Sequence, residues 1–94
     1  DYIDHFSITV FYTPGHTWGS ICLQIEDCLF TGDTLLRGKI GRIDLPGGNG
    51  KALKESLKIL SKFPKYISIY PGHGEPSTIG DELKFNKNLI DLLI

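Results

Sequence analysis

One turn recurs three times along this chain and limits what it can become. Phe11-Tyr12-Thr13-Pro14-Gly15 leads into His16, Cys28-Leu29-Phe30-Thr31-Gly32 leads into Asp33, and Ile69-Tyr70-Pro71-Gly72 leads into His73. Each is an apolar, strand-like run ending in glycine, followed directly by an imidazole or a carboxylate. Glycine accepts a sharp turn and lets backbone approach a site closely. Side chains placed at strand ends are held by a rigid sheet. Imidazole and carboxylate are ligands for zinc, and also for iron or manganese. A carboxylate between two histidine loops suits a bridge between two metals about 3.5–4 Å apart. Turn chemistry accounts for Pro-Gly-His and Gly-Asp-Thr equally well on spacing alone, so both readings stand at this point.

The rest of the composition narrows the class. Net charge is −1, and no basic stripe marks a nucleic-acid binder. No apolar run approaches the roughly 20 residues that span a bilayer. Asp1-Tyr2-Ile3-Asp4-His5 has neither the basic region nor the apolar core of a signal peptide, so a cytoplasmic setting is expected. His5 reads as an ordinary near-terminal residue. Cys22 and Cys28 flank a turn at Glu26-Asp27 that pairs Ile25 with Cys28, so the two thiols are not cross-strand partners and are expected to stay reduced. Residues 1–94 are one small, partial domain, and a chain this short buries only about 60–65% of its unfolded surface.

The periodicity predicts a mixed sheet of about four strands with two helices on one face, an α/β arrangement. Phe6 to Tyr12 alternates, with Phe6, Ile8, Val10 and Tyr12 on the face expected to be buried and Phe11 a second apolar contact on the other. Ser20 to Glu26 places Ile21, Leu23 and Ile25 inward, and Cys28 to Thr31 returns as its hairpin partner. Thr34 to Asn49 reads as a long loop packed on the surface, of the length that tends to carry function. Asn49 caps a helix over 50–62 whose stripe is Leu53, Leu57 and Leu60, with a solvated lysine face. Phe63-Pro64 stops it, and Tyr66 to Tyr70 is a short strand. Thr78 and Asp81 have capping-box spacing and open a last helix over 79–92 with a stripe of Leu83, Phe85, Leu89, Ile90, Leu92 and Leu93.

The motifs taken in order carry a family resemblance. Thr13-Pro14-Gly15-His16-Thr17, Leu29-Phe30-Thr31-Gly32-Asp33-Thr34 and Tyr70-Pro71-Gly72-His73-Gly74 closely resemble the metallo-β-lactamase-fold hydrolases. Gly41 to Gly48 and Thr78-Ile79-Gly80-Asp81-Glu82 look like the glyoxalase II-like, hydroxyacylglutathione-hydrolase branch. The resemblance covers nearly the whole chain. It implies that His16 ligates a first metal, that Asp33 bridges and is catalytic, and that His73 ligates a second metal. It implies two zinc ions in the complete fold, with iron or manganese as alternatives. It implies hydrolysis, often of a small thioester such as S-D-lactoylglutathione, by water activated at the metals. Arg42 and Asp44 would be a substrate-loop or ligand-supporting pair, or a plain structural ion pair.

The chain departs from the family in ways that matter. The family's first ligand motif, His-x-His-x-Asp-His, is absent, so the chain matches only the C-terminal half of an αββα sandwich. The bare sheet face is expected to find cover in a second copy or in the missing N-terminal half. Three of the usual seven ligand positions are present, so the chain alone is expected to be inactive. Residues 1–94 do not include the helical domain that binds glutathione in glyoxalase II, so glutathione specificity is not expected of them. Trp18 stands where proline is common, and Asn86-Lys87 where Asn-Pro is usual; neither is expected to matter. A mono-iron persulfide dioxygenase shares similar glycine-ligand turns, and a non-catalytic, partner-binding domain is the third reading.

Overall fold

A computed structural model describes residues 7–94. The expectations for the N-terminal leader, His5 and Phe6 lie outside the described residues. Ten elements follow in order: β1 (Ile8–Tyr12), β2 (Ile21–Ile25), β3 (Cys28–Gly32), β4 (Leu35–Leu36), β5 (Lys39–Ile40), α1 (Gly50–Ser61), β6 (Ser68–Pro71), β7 (Ser77–Thr78), α2 (Ile79–Phe85) and α3 (Lys87–Leu93). Five strands form one mixed sheet in the order β1-β2-β3-β6-β7, and β4-β5 is a separate two-stranded hairpin. The expected count of four strands and two helices is therefore low. The extra strands are two-residue pieces, too short for periodicity to register.

Strand direction places the three turns. β1 and β2 are antiparallel, β2 and β3 are antiparallel, and β3 and β6 are parallel. So β1, β3 and β6 run the same way, and their C-terminal ends lie along one edge of the sheet. The Ile25↔Cys28 pairing confirms the turn at Glu26-Asp27. Glu26 takes a left-handed φ of 52° there, a conformation that a side chain makes costly. Both cysteines are free thiols, and burial pushes the Cys22 thiol up from its ordinary pKa.

The core forms on one face. Cys22, Leu29, Ile67 and Ile69 from the sheet side meet Leu53, Leu57 and Leu60 of α1, Ile79 of α2 and Leu89 of α3. Phe11 packs against this cluster and meets Phe63 edge-on, with ring centroids 5.2 Å apart. This reverses the expected facing of β1 and β2. Ile8, Val10, Tyr12 and Ile21 are exposed, and Leu23 and Ile25 only half-buried. The register Val10↔Leu23↔Phe30↔Tyr70 continues that apolar row across the sheet. Alternation shows which residues share a face; it does not show which face meets the helices.

Helix α1 follows its sequence closely. The Asn49 side chain accepts from the Ala52 amide, and Leu53, Leu57 and Leu60 are buried together with Ser56. Thr78 caps α2 as its spacing predicts, accepting from the Asp81 amide at 3.1 Å. The single last helix does not form. Asn86 ends α2 and caps α3, its side chain accepting from the Leu89 amide at 3.0 Å. As a result Phe85 is 71% exposed instead of lying in the stripe. Among the described residues, no helix is long and apolar enough to cross a membrane.

Candidate metal centre

The three glycine turns meet at the shared sheet edge, each held by a different device. The His16 loop is pinned to α1: the Ser56 hydroxyl donates to the Pro14 carbonyl at 2.8 Å, and the Asn49 amide donates to the Gly15 carbonyl at 2.7 Å. Gly15, at φ +144°, lies on the helix itself; a Cβ there would stand 2.4 Å from Leu53 Cα. The Asp33 and His73 loops are tied together by the Gly72 amide donating to the Gly32 carbonyl at 2.8 Å. Beneath them lies a buried hydroxyl layer. Thr13 and Thr34 hydroxyls are 3.3 Å apart, and the Thr31 hydroxyl donates to the Leu35 carbonyl at 2.6 Å. Thr13 and Thr31 sit one or two residues before their glycines, a repeated sequence signal for this layer.

The fourth wall comes from the segment read as a loop. Its hairpin, β4-β5, carries Leu36, Lys39, Ile40, Gly41 and Arg42 to the site, where they line a cavity of about 280 Å³ with His16, Asp33 and His73. Gly41 lets this wall close in: a Cβ there would fall 2.4 Å from the Asp33 carbonyl oxygen and 3.1 Å from His16 Cβ.

The side-chain geometry is specific. His16 Nδ1 lies 2.7 Å from the Arg42 carbonyl oxygen. A carbonyl only accepts, so Nδ1 carries the proton and donates, leaving Nε2 to face Asp33. His16 Nε2 is 3.6 Å from Asp33 Oδ2, too far for a hydrogen bond. Tetrahedral zinc with ordinary bond lengths sets neighbouring nitrogen and oxygen ligands about 3.3 Å apart, close to that spacing. His73 Nδ1 donates to the other oxygen, Asp33 Oδ1, at 2.7 Å. That ring is 80% exposed, so little packing holds it there. Asp33 thus offers one oxygen to each histidine. Among the described residues no three His, Cys, Asp or Glu side chains are grouped so as to hold a metal ion.

Arg42 and Asp44 do form a pair. Arg42 Nε and an NH₂ nitrogen donate to the two Asp44 oxygens at 2.7 and 2.8 Å. The hydrogen bonds from Arg42 hold the Asp44 carboxyl down, at a pKa of about 2. Both side chains are exposed, so the pair adds little stability. Its tie to the site is the Arg42 backbone carbonyl.

A mixed sheet with helices on one face thus carries histidine and aspartate turns at the ends of co-directional strands, one sheet-and-helix layer pair. The chain belongs to the metallo-beta-lactamase superfamily, whose family model matches residues 2–73. It is 38% identical over 87 residues to the hydroxyacylglutathione hydrolase GloC of Haemophilus influenzae, covering 89% of this chain and 41% of that one. It superposes on ETHE1 of Myxococcus xanthus with a TM-score of 0.88 at 35% identity, covering 93% of this chain and 41% of that chain. It superposes on the di-iron-bound form of TTHA1623 with a TM-score of 0.84 at 40% identity, covering 86% and 42%. The chain spans 39–42% of the length of curated relatives that it matches. The fold is therefore a partial metallo-beta-lactamase fold, as the motifs imply.

Proposed function

We propose that this chain is the C-terminal half of a metal-dependent hydrolase that cleaves a small thioester, in the manner of a hydroxyacylglutathione hydrolase. The observation that carries the reading is His16: its Nδ1 is committed to the Arg42 carbonyl, and its Nε2 faces a carboxylate oxygen at 3.6 Å with no hydrogen bond between them. In the neutral Nδ1–H tautomer, Nε2 and the carboxylate oxygen are both acceptors, and a metal ion between them would satisfy both. Likeness to a hydroxyacylglutathione hydrolase supports the thioester as substrate class.

The donor set fits zinc and iron alike, and likeness to a di-iron form supports iron as an alternative. Such metals, when bound, lower the pKa of water toward neutrality and polarise a carbonyl oxygen. This chain's own residues would do the rest. Asp33 would hold both ions with one oxygen each. The Arg42 carbonyl would keep His16 in the ligating tautomer. Lys39, on the cavity wall, would orient an anionic substrate, while Leu36 and Ile40 would shield part of it from water.

The test is a zinc titration of the purified chain by calorimetry, repeated with cobalt(II) to read its visible spectrum. Weak uptake is expected, and it should vanish in His16→Ala and in Asp33→Ala. The isolated chain should not hydrolyse S-D-lactoylglutathione, because it lacks the remaining ligands. If zinc, iron and manganese all fail to bind, the metal reading is wrong and a non-catalytic, partner-binding role takes its place. Iron uptake with oxygen consumption on a persulfide substrate would favour the dioxygenase reading instead.

A further inference from the structure

Two polar side chains lie buried where the sequence reading placed only apolar contacts. Glu82 is 3% exposed and Asn86 is fully buried. With Ile79 of α2 and Leu89 of α3 they form one buried side of the two short helices, on either side of the break at Asn86. Every polar atom they carry points at something. Glu82 Oε1 accepts from the Gly38 amide at 2.8 Å and from Asn86 Nδ2 at 2.8 Å, and Oε2 accepts from the Ser77 hydroxyl at 2.5 Å. Asn86 Nδ2 also donates to the Leu36 carbonyl at 3.3 Å and the Lys39 carbonyl at 3.0 Å. Three backbone groups of one turn, at Leu36, Gly38 and Lys39, are thereby grasped from the helices.

That turn belongs to the β4-β5 hairpin, which presents Gly41 and the Arg42 carbonyl to Asp33 and His16. We infer that Glu82 and Asn86 are positioning residues for the metal centre, acting through the hairpin to hold the Arg42 carbonyl against His16 Nδ1. The inference rests on the metallohydrolase reading for its purpose, but not for its geometry. A hairpin with two residues per strand has little cohesion of its own. Without the clamp the carbonyl that fixes the His16 tautomer is carried on a loose loop. Outer partners of ligating histidines affect metal affinity about 10–100-fold.

Substitutions separate clamping from folding. Glu82→Gln keeps the clamp, because its carbonyl oxygen can still accept from Gly38 and Asn86 while its amide donates to Ser77, whose hydroxyl turns to accept. Glu82→Ala removes it. Asn86→Asp keeps the helix cap but turns an acceptor toward the Leu36 and Lys39 carbonyls and Glu82. The first readout is the ¹⁵N shift pattern of the His16 imidazole, which distinguishes the tautomers without any metal. The second is zinc affinity.

Glu82→Ala and Asn86→Asp are expected to release the Nδ1–H tautomer and weaken zinc binding about 10-fold or more, with Glu82→Gln near the parent. Leu60→Val, a core change away from the hairpin, should lower stability without moving the tautomer. Folded Glu82→Ala and Asn86→Asp chains with the parental tautomer would overturn the inference. Should both fail to fold, hydrogen exchange in the unmutated chain decides. The exposed Gly38 amide must then exchange in step with the Leu89 amide, and exchange at the rate of an open turn would overturn it. A chain that binds no metal yet shows the locked tautomer and protected Gly38 defeats the hydrolase reading alone.

Discussion

Replacing Gly41 with alanine tests how the site is closed. The backbone at Gly41 is not in the left-handed region, so alanine is conformationally acceptable there. At such a position a methyl group normally stabilises a protein by about 0.4–1 kcal/mol, through the entropy of the unfolded chain. Here the added Cβ would lie 2.4 Å from the Asp33 carbonyl oxygen, a backbone atom that cannot swing aside. The gap must open by at least about 0.6 Å to reach the 3.0 Å below which real Cβ contacts essentially never fall. Moving the hairpin outward by that amount strains the 3.0 Å bond from the Gly41 amide to the Thr34 carbonyl and the 2.7 Å bond from His16 Nδ1 to Arg42. Forced repacking of this kind costs about 1–3 kcal/mol. The expected result is a lower urea midpoint at unchanged slope, with loss of whatever zinc affinity the chain has. Gly19→Ala is the control, because nothing lies within 4 Å of its Cβ and its φ is unremarkable for an L-residue. It should be neutral or slightly stabilising. If Gly41→Ala matches Gly19→Ala in both stability and zinc binding, the hairpin is not pressed against Asp33 as described, and the account of the fourth wall fails.

Three further outcomes are expected. Asn49→Ala removes the acceptor for the Ala52 amide and should cost about 1 kcal/mol in urea unfolding, the usual loss for an N-cap; an unchanged midpoint would refute the cap. The Asp44 carboxyl is held down to about 2 by Arg42. Because the folded pKa lies below the unfolded one, the pair's contribution is complete above the ordinary carboxylate range and is lost as pH falls toward 2. A carboxyl ¹³C titration of Asp44 should show that midpoint, and a midpoint near 3.8 would show the pair to be open in solution. The row of Ile8, Val10, Tyr12, Ile21 and Phe30 is exposed on a sheet face without charge, so the isolated chain is expected to self-associate through it. Sedimentation should give a species above 10.5 kDa that Val10→Lys dissociates, and a monodisperse parent monomer would count against it.

The sequence was most informative where a residue's role depends on its immediate neighbours. The Asn49 and Thr78 caps, the Leu53-Leu57-Leu60 stripe and the Glu26-Asp27 turn all need only a few adjacent positions, and each stands where its spacing puts it. The three glycine turns were equally plain, since a glycine after an apolar run and before a ligand is a local pattern. What brought their side chains together was the common direction of β1, β3 and β6, which is a property of the whole sheet. The facing of β1 and β2 was not legible for a related reason. In these strands the face of Phe11 and Cys22 also carries Thr9 and Gln24, while Val10 and Leu23 lie on an all-apolar face. A polar-out rule therefore turns the Phe11 and Cys22 face to solvent, although it is the face that meets the helices.

Asn86 shows the opposite case, in which the local signal was present and outvoted. Leu83, Phe85, Leu89 and Ile90 suggest a continuous apolar helix, and Asn86 within it carries no structural expectation of its own. Yet Asn86 breaks the helix in two, and it is Ile79, Glu82, Asn86 and Leu89, on either side of that break, that are buried. Burying a carboxylate and an amide costs several kcal/mol unless each finds partners. The partners here are backbone groups of a hairpin about 45 residues away in sequence. Nothing in residues 79–89 could reveal them, because a two-residue strand has no periodicity to announce it. A polar pair set into an otherwise apolar helical stripe is therefore the sign to look for a distant turn that the helix must hold. In this chain that turn closes the wall beside His16 and Asp33.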